Sequence, residues 1–209
     1  MSKDRRFANT GRRLALGLTA AAFLGLGGPW GASAAGAPGS AAAPVFTPAE
    51  LVGTLHRLNQ MEIEAGQMAQ RRGRTEAMKH YGATLQHDHA TADEHLKAYA
   101  RAHHLDLDTA PPLGIGTELS QARHELDNLQ DLGGASFDRE FAELMVQDHD
   151  KAIQMVDHAS KQVTDPRLKA MLGEVEPNLR EHKQIAQNLL FQDDASAAAG
   201  ASSPHKTSH

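Results

Sequence analysis

Four residues stand out because their chemistry conflicts with where they fall. Glu62, His89, His149 and His182 interrupt stretches whose apolar residues recur with helical spacing. At 100° per residue, Glu62 lies within about 20° of the direction of Leu55, at the centre of an apolar stripe. His182 lies within about 20° of Val175 and shares its face with Leu179 and Ala186. The acid–histidine dipeptides Asp88-His89 and Asp148-His149 straddle the stripes of two other helices. Imidazole nitrogens and carboxylate oxygens brought together suit zinc, manganese, iron or copper(II). The expected site is therefore one or two transition-metal ions on Glu62, His89, His149 and His182. Asp88 and Asp148 would serve as further ligands or as orienting partners. The competing reading is that buried His and Glu satisfy one another with no ion.

The rest of the histidine inventory reads as surface: His56, His80, His87, His95, His103, His104, His124 and His158. Met61, Met68, Met78, Met145, Met155 and Met171 read as gap-filling core, although Met145 and His149, one turn apart, are also spaced for copper(I).

Helices must position these groups, and their start signals are plain. Thr47-Pro48-Ala49-Glu50 offers an N-cap, a first-turn proline and a capping-box glutamate, opening a helix that stops at Arg71-Arg72-Gly73. A second helix is predicted over Thr75 to His104, and residues 105–116, with Pro111-Pro112 and two glycines, read as loop. A shorter helix follows from Thr117 to Leu132, and a third long one from Phe137 to Val163. Asp165-Pro166 caps the last, which runs to Phe191 with Pro177 as an expected kink. The first and last pairs of long helices are joined by tight turns, the middle pair by about thirty residues. Two hairpins joined by one long crossover, itself containing a short extra helix, is an all-α, ferritin-like four-helix bundle. In that topology the four candidate residues lie at similar depth from one end, spread over about 7–8 Å along the axis.

Composition supports helices and removes many functions. The 209 residues are 40% hydrophobic and 4% aromatic, with no cysteine and a formal charge of −5. Few aromatics argue against a β-sandwich or barrel. Without cysteine there are no disulfides, thiolate metal sites or cysteine nucleophiles. The acidic balance argues against a nucleic-acid partner. No His pair three or four residues apart falls in the domain, no glycine-rich phosphate loop follows a strand, and no serine elbow is visible. Residues 1–34 read as a signal peptide: Arg5, Arg6, Arg12 and Arg13, then an apolar run from Leu14 to Leu26, then Ala32-Ser33-Ala34. That run is shorter than the ~20 residues a membrane span needs. Once it is cleaved no transmembrane span is expected, and the location is periplasmic or otherwise extracytoplasmic. Arg12-Arg13 leaves both general and twin-arginine export open. Residues 35–45 read as a flexible linker, 46–192 as the bundle domain, and 193–209 as a disordered tail holding His205 and His209.

Several ordered stretches carry a resemblance. Met61-Glu-Ile-Glu-Ala-Gly66, Gln86-His-Asp-His-Ala90, Val146-Gln-Asp-His-Asp-Lys151 and Pro177-Asn-Leu-Arg-Glu-His182 are similar to the exported bacterial family called domain of unknown function 4142. Gly134-Ala-Ser-Phe-Asp-Arg139 and Asp165-Pro-Arg-Leu-Lys169 fit the same family, so the resemblance spans about residues 47–191. It implies a ferritin-like bundle and no established activity. Its members are often labelled outer membrane proteins, which would need many alternating strands that this chain lacks. The chain also departs from the iron-oxidising ferritin pattern of Glu three residues before His, since Gln86 precedes His89 and Leu179 precedes His182. Three functions stay open. One is an exported binding or stress-protective module that holds a metal ion, and it is not expected to be an enzyme. The others are a ferroxidase-like or other redox metalloenzyme, and a metal-free interaction bundle.

Overall fold

The computed structural model describes residues 44–201, with side chains through 192. The stretch read as a signal peptide, nearly all of the one read as a linker, and residues 202–209 with His205 and His209 lie outside the described residues. Within them the chain is all-α: α1 (Pro48–Arg72), α2 (Glu76–His103), α3 (Leu113–Asn128), a 3₁₀ turn (Leu129–Asp131), α4 (Gly134–Gln162) and α5 (Pro166–Ala201). No helix among the described residues is long and apolar enough to cross a membrane.

Local chemistry sets the helix starts. At α1 the Glu50 amide donates to Thr47 Oγ1 at 3.2 Å while the Thr47 amide donates to Glu50 Oε2 at 2.8 Å, so two orphan donors are satisfied reciprocally. Thr75 Oγ1 caps α2 by accepting from the Met78 amide, and Asp165 Oδ1 caps α5 by accepting from Leu168 at 2.8 Å. The turn between α1 and α2 is tied to α4 by Asp138. This buried carboxylate accepts from the Arg74 amide and from both the amide and hydroxyl of Thr75.

Three boundaries differ from the expectation. α3 begins at Leu113, inside the stretch read as loop, because Pro112 stands in the N-cap position, where no intrahelical N–H is needed. α4 begins at Gly134 rather than Phe137. The last helix runs unbroken through Pro177 to Ala201, well past Gln192, where the domain was expected to end in a disordered tail. Residues 195–201 are mostly alanine, the best helix former, so a backbone already helical propagates without an apolar stripe.

α1 packs against α2 and α4 against α5, while α2 meets α5 and α1 meets α4. The buried side chains form two apolar clusters. One holds Met68, Met78, Tyr81, Leu85, Phe137, Phe141, Met145 and Ala186; the other holds Leu51, Leu55, Leu96, Tyr99, Ile153, Val156, Leu172 and Leu179. α1 and α5 therefore run from the second cluster to the first, and α2 and α4 run the opposite way. On each of these four helices polar residues lie between the clusters: Asn59 and Glu62, His89 and Asp93, His149, and His182. A polar layer divides the core.

α1 and α2 touch backbone to backbone beside this layer. A Cβ on Gly82 would sit 2.5 Å from the Gly66 carbonyl oxygen and 2.7 Å from Ala69 Cβ. Gly82→Ala should gain about 1 kcal/mol of helix propensity. It should nevertheless lose about 1–3 kcal/mol net in urea unfolding, because overpacking two backbones outweighs propensity. A variant as stable as the parent would show that the helices can part there at no cost.

Candidate metal centre

Three imidazoles meet in the polar layer. His89 from α2, His149 from α4 and His182 from α5 are all buried, and one ring nitrogen of each lies within 4.8 Å of the others. Their ring centroids are 5.2–6.0 Å apart.

The outward nitrogens decide what the inward ones can do. His149 Nδ1 lies 2.9 Å from the Met145 carbonyl oxygen, an acceptor only, so Nδ1 carries the proton and Nε2 a lone pair. His182 Nε2 lies 2.9 Å from Asp88 Oδ2, so this nitrogen is likewise the donor, and in the neutral ring Nδ1 keeps a lone pair. His89 Nδ1 faces Asn59 Oδ1 at 2.9 Å, and its Nε2 is buried with no hydrogen-bond partner. Each histidine is thus fixed in one tautomer by a carbonyl, a carboxylate or an amide oxygen. That is the arrangement that orients histidine ligands at metal sites.

His149 Nε2 and His182 Nδ1 are 3.4 Å apart. With both rings neutral these atoms are two acceptors facing each other in a buried site, which needs a cation between them. Two nitrogens bound at about 2.0–2.1 Å to one tetrahedral ion are about 3.3–3.4 Å apart. Protons compete poorly here. Burial, then the neighbouring His182, pushes His149 down to about 3, against the opposing hydrogen bond to Met145. His89 is held well below the ordinary imidazole range by burial and then by His149 and His182. His89 and His149 offer lone pairs rather than charge.

A family model described as Domain of unknown function (DUF4142) matches residues 32–189. The chain belongs to this family. No curated protein and no solved structure matches it. The DUF4142 domain thus carries the three histidines, their orienting groups and the whole polar layer within the matched residues.

The six residues expected from sequence separate into two groups. The structure brings together His89, His149 and His182, and places Asp88 behind His182 as its orienting partner. Glu62 and Asp148 are not part of the cluster, although both were expected as ligands or partners. Asn59, three residues before Glu62 on the same face, takes the position facing His89. Asp148 is turned about 100° from its neighbour His149 and pairs with Lys151 at 3.3 Å.

Glu62 and Asp148 instead line a cavity of about 90 Å³ between α1, α3, α4 and α5, with Asn59 and His89 also on its wall. Glu62 Oε2 is shut off from solvent without a partner, and burial, then Asp148, raises this carboxyl to about 8. Burial also raises Asp148, against the pull of Lys151. The Tyr81 hydroxyl is buried and unpartnered too, and burial followed by Glu62 raises it.

Sequence reasoning missed Asn59 and the Met145 carbonyl. Asn59 was detectable as one more polar residue on the α1 stripe; the carbonyl, which any residue at 145 would supply, was not. Of the histidines read as surface, His80, His87, His95, His103, His104 and His124 are exposed, while His158 and His56 are half-buried. His56 Nδ1 pairs with the buried Asp93 at 2.5 Å.

Proposed function

We propose that this protein is a ferritin-like four-helix bundle whose function is to hold one divalent transition-metal ion on His89, His149 and His182. The bundle reading is supported by two hairpins with three-residue turns and by the long connection carrying α3 between the parallel helices α2 and α4. The metal reading rests on the 3.4 Å approach of two lone-pair nitrogens whose opposite ring atoms are already committed as donors. The separation matches a tetrahedral edge, so zinc or cobalt(II) fits the His149–His182 pair better than an octahedral ion. A basic, then apolar, then small-residue pattern over residues 1–34 supports an extracytoplasmic setting, where such a module would bind or buffer metal. A ferroxidase-like di-iron role is less well supported, because among the described residues no carboxylate joins the three nitrogens.

Asp88→Asn removes the charge behind His182 while keeping its shape. Affinity for Zn(II) should fall about 10–100-fold, read by competition with a chromophoric chelator. The competing arrangement places a proton rather than a metal in the cluster, as an imidazolium at His182 held by Asp88. Titration of the purified chain decides between them. One equivalent of Zn(II) bound with a matching rise in melting temperature supports the site, and no saturable binding eliminates it.

A further inference from the structure

Asn59 differs from the other two groups that face the histidines from outside. The Met145 carbonyl and the Asp88 carboxylate can only accept, so the ring nitrogen each one faces is a donor whether or not an ion is present. An amide carries an accepting oxygen and a donating NH2 of nearly the same size, and a half-turn of the side chain exchanges them. Among the described residues nothing anchors Asn59 in one orientation, since its only hydrogen bond is the one to His89 Nδ1 at 2.9 Å. The residue is buried and borders two cavities, of about 90 Å³ and about 190 Å³, which leave room for the end of the amide that His89 does not use.

With its oxygen toward His89 the amide suits an ion, because the His89 Nε2 lone pair is left free. That orientation does not suit an empty site. His89 Nε2 then has no partner, and His149 Nε2 and His182 Nδ1 face each other at 3.4 Å with no donor between them. Buried acceptors are seldom left unpaired. We propose that Asn59 is a tautomer switch, turning its NH2 to His89 Nδ1 when the site is empty and its oxygen when the ion is bound. The proposal rests on the metal reading above. In the empty site His89 carries its proton on Nε2 and directs it at the two facing lone pairs, the three ring nitrogens lying within 4.8 Å of one another. When the ion binds, the proton lost from Nε2 is matched by one gained at Nδ1, where the turned amide oxygen accepts it. The ring is neutral before and after, so the exchange releases no proton. Asn59 is a positioning residue in this scheme, since it acts on the ion only through His89.

Nitrogen-15 labelling of the imidazoles makes the test direct, because proton–nitrogen correlation spectra separate the two neutral tautomers from each other and from an imidazolium. In the metal-free protein at neutral pH, His89 is expected to carry its proton on Nε2, with His149 protonated on Nδ1 and His182 on Nε2. With one equivalent of Zn(II), His89 should change to the Nδ1 tautomer with Nε2 ligated, while His149 and His182 keep theirs. Asn59→Asp puts a carboxylate, which can only accept, in the same place. It should hold His89 in the Nδ1 tautomer even without metal and bind Zn(II) about tenfold more tightly, since nothing has to turn. His89 found in the Nδ1 tautomer in the metal-free parent overturns the proposal and leaves the metal site standing. So does an imidazolium in the cluster, because a charged ring already supplies the missing donor. An Nε2 tautomer that survives in metal-free Asn59→Asp overturns it as well. Should that variant not fold, the tautomers of the parent chain decide alone. A protein that takes up no Zn(II) overturns the metal reading and this one with it.

Discussion

Replacing His182 by alanine is expected to abolish the metal-dependent rise in melting temperature. A ligand that binds only the folded chain stabilises it by about 2.7 kcal/mol at a hundred times its Kd. For a domain of this size that is about 5–10 °C. His182 links the site's two halves: its Nδ1 faces His149 Nε2 at 3.4 Å, and its Nε2 reaches Asp88 at 2.9 Å. Without it only His89 and His149 remain, and two nitrogens do not make a closed tetrahedral site. His80→Ala, on the exposed face of α2, should retain the full rise. Differential scanning fluorimetry with and without Zn(II) reads both variants. If a proton occupies the cluster instead, His182→Ala lowers the melting temperature equally with and without metal. That outcome would sink the metal reading.

Much of this site could be read from residue order, for a physical reason. A buried histidine on an apolar stripe is costly unless it is satisfied, so a periodicity argument finds it wherever the stripe is clear. His89, His149 and His182 are such residues, and the N-caps Thr75 and Asp165 set the helices that carry the first and the last of them. Rotation at 100° per residue gives a direction but not a neighbour. It placed Glu62 at the right depth, yet Asn59, one turn earlier, is the residue that meets His89. Asp148 shows the same limit, since adjacent residues on a helix face different spaces and only packing decides which of them meets the histidine cluster. The early start of α3 was hidden by Gly114 and Gly116, which read as loop although an N-terminal turn tolerates them. The extension of α5 to Ala201 was hidden because a helix propagating through alanine needs no apolar face.

Without metal, the protein should be most stable near pH 6.5 and should lose stability on both sides. Consider His149 first. Its folded value is about 3 against an ordinary 6.5, so below pH 6.5 the unfolded chain takes a proton that the folded chain refuses. Stability is then lost as pH falls, by up to about 4–5 kcal/mol by pH 3 at 1.36 kcal/mol per unit. His89 is shifted the same way and adds to this limb. Glu62 acts in the opposite sense. Its folded value is about 8 against 4.5, so above pH 4.5 the unfolded chain releases a proton that the folded chain keeps. Stability from Glu62 is therefore lost as pH rises from 4.5 to 8. Between 4.5 and 6.5 Glu62 and His149 cancel and His89 leaves a net rise; above 6.5 only Glu62 remains, costing about 2 kcal/mol by pH 8. Glu62→Gln keeps the shape and cannot ionise, so it should flatten the curve between pH 6.5 and 8 and steepen it between 4.5 and 6.5, where Glu62 no longer offsets His149. Urea unfolding of the metal-free protein at half-unit pH steps measures both limbs. If the alkaline limb survives in Glu62→Gln, its source is another carboxyl, and the buried state assigned to Glu62 is wrong. The same shifts change what acid does to metal binding. Simple imidazole ligands would release the ion as pH falls through 6.5, but a folded pocket that already excludes protons from His89 and His149 keeps those two nitrogens available below that pH.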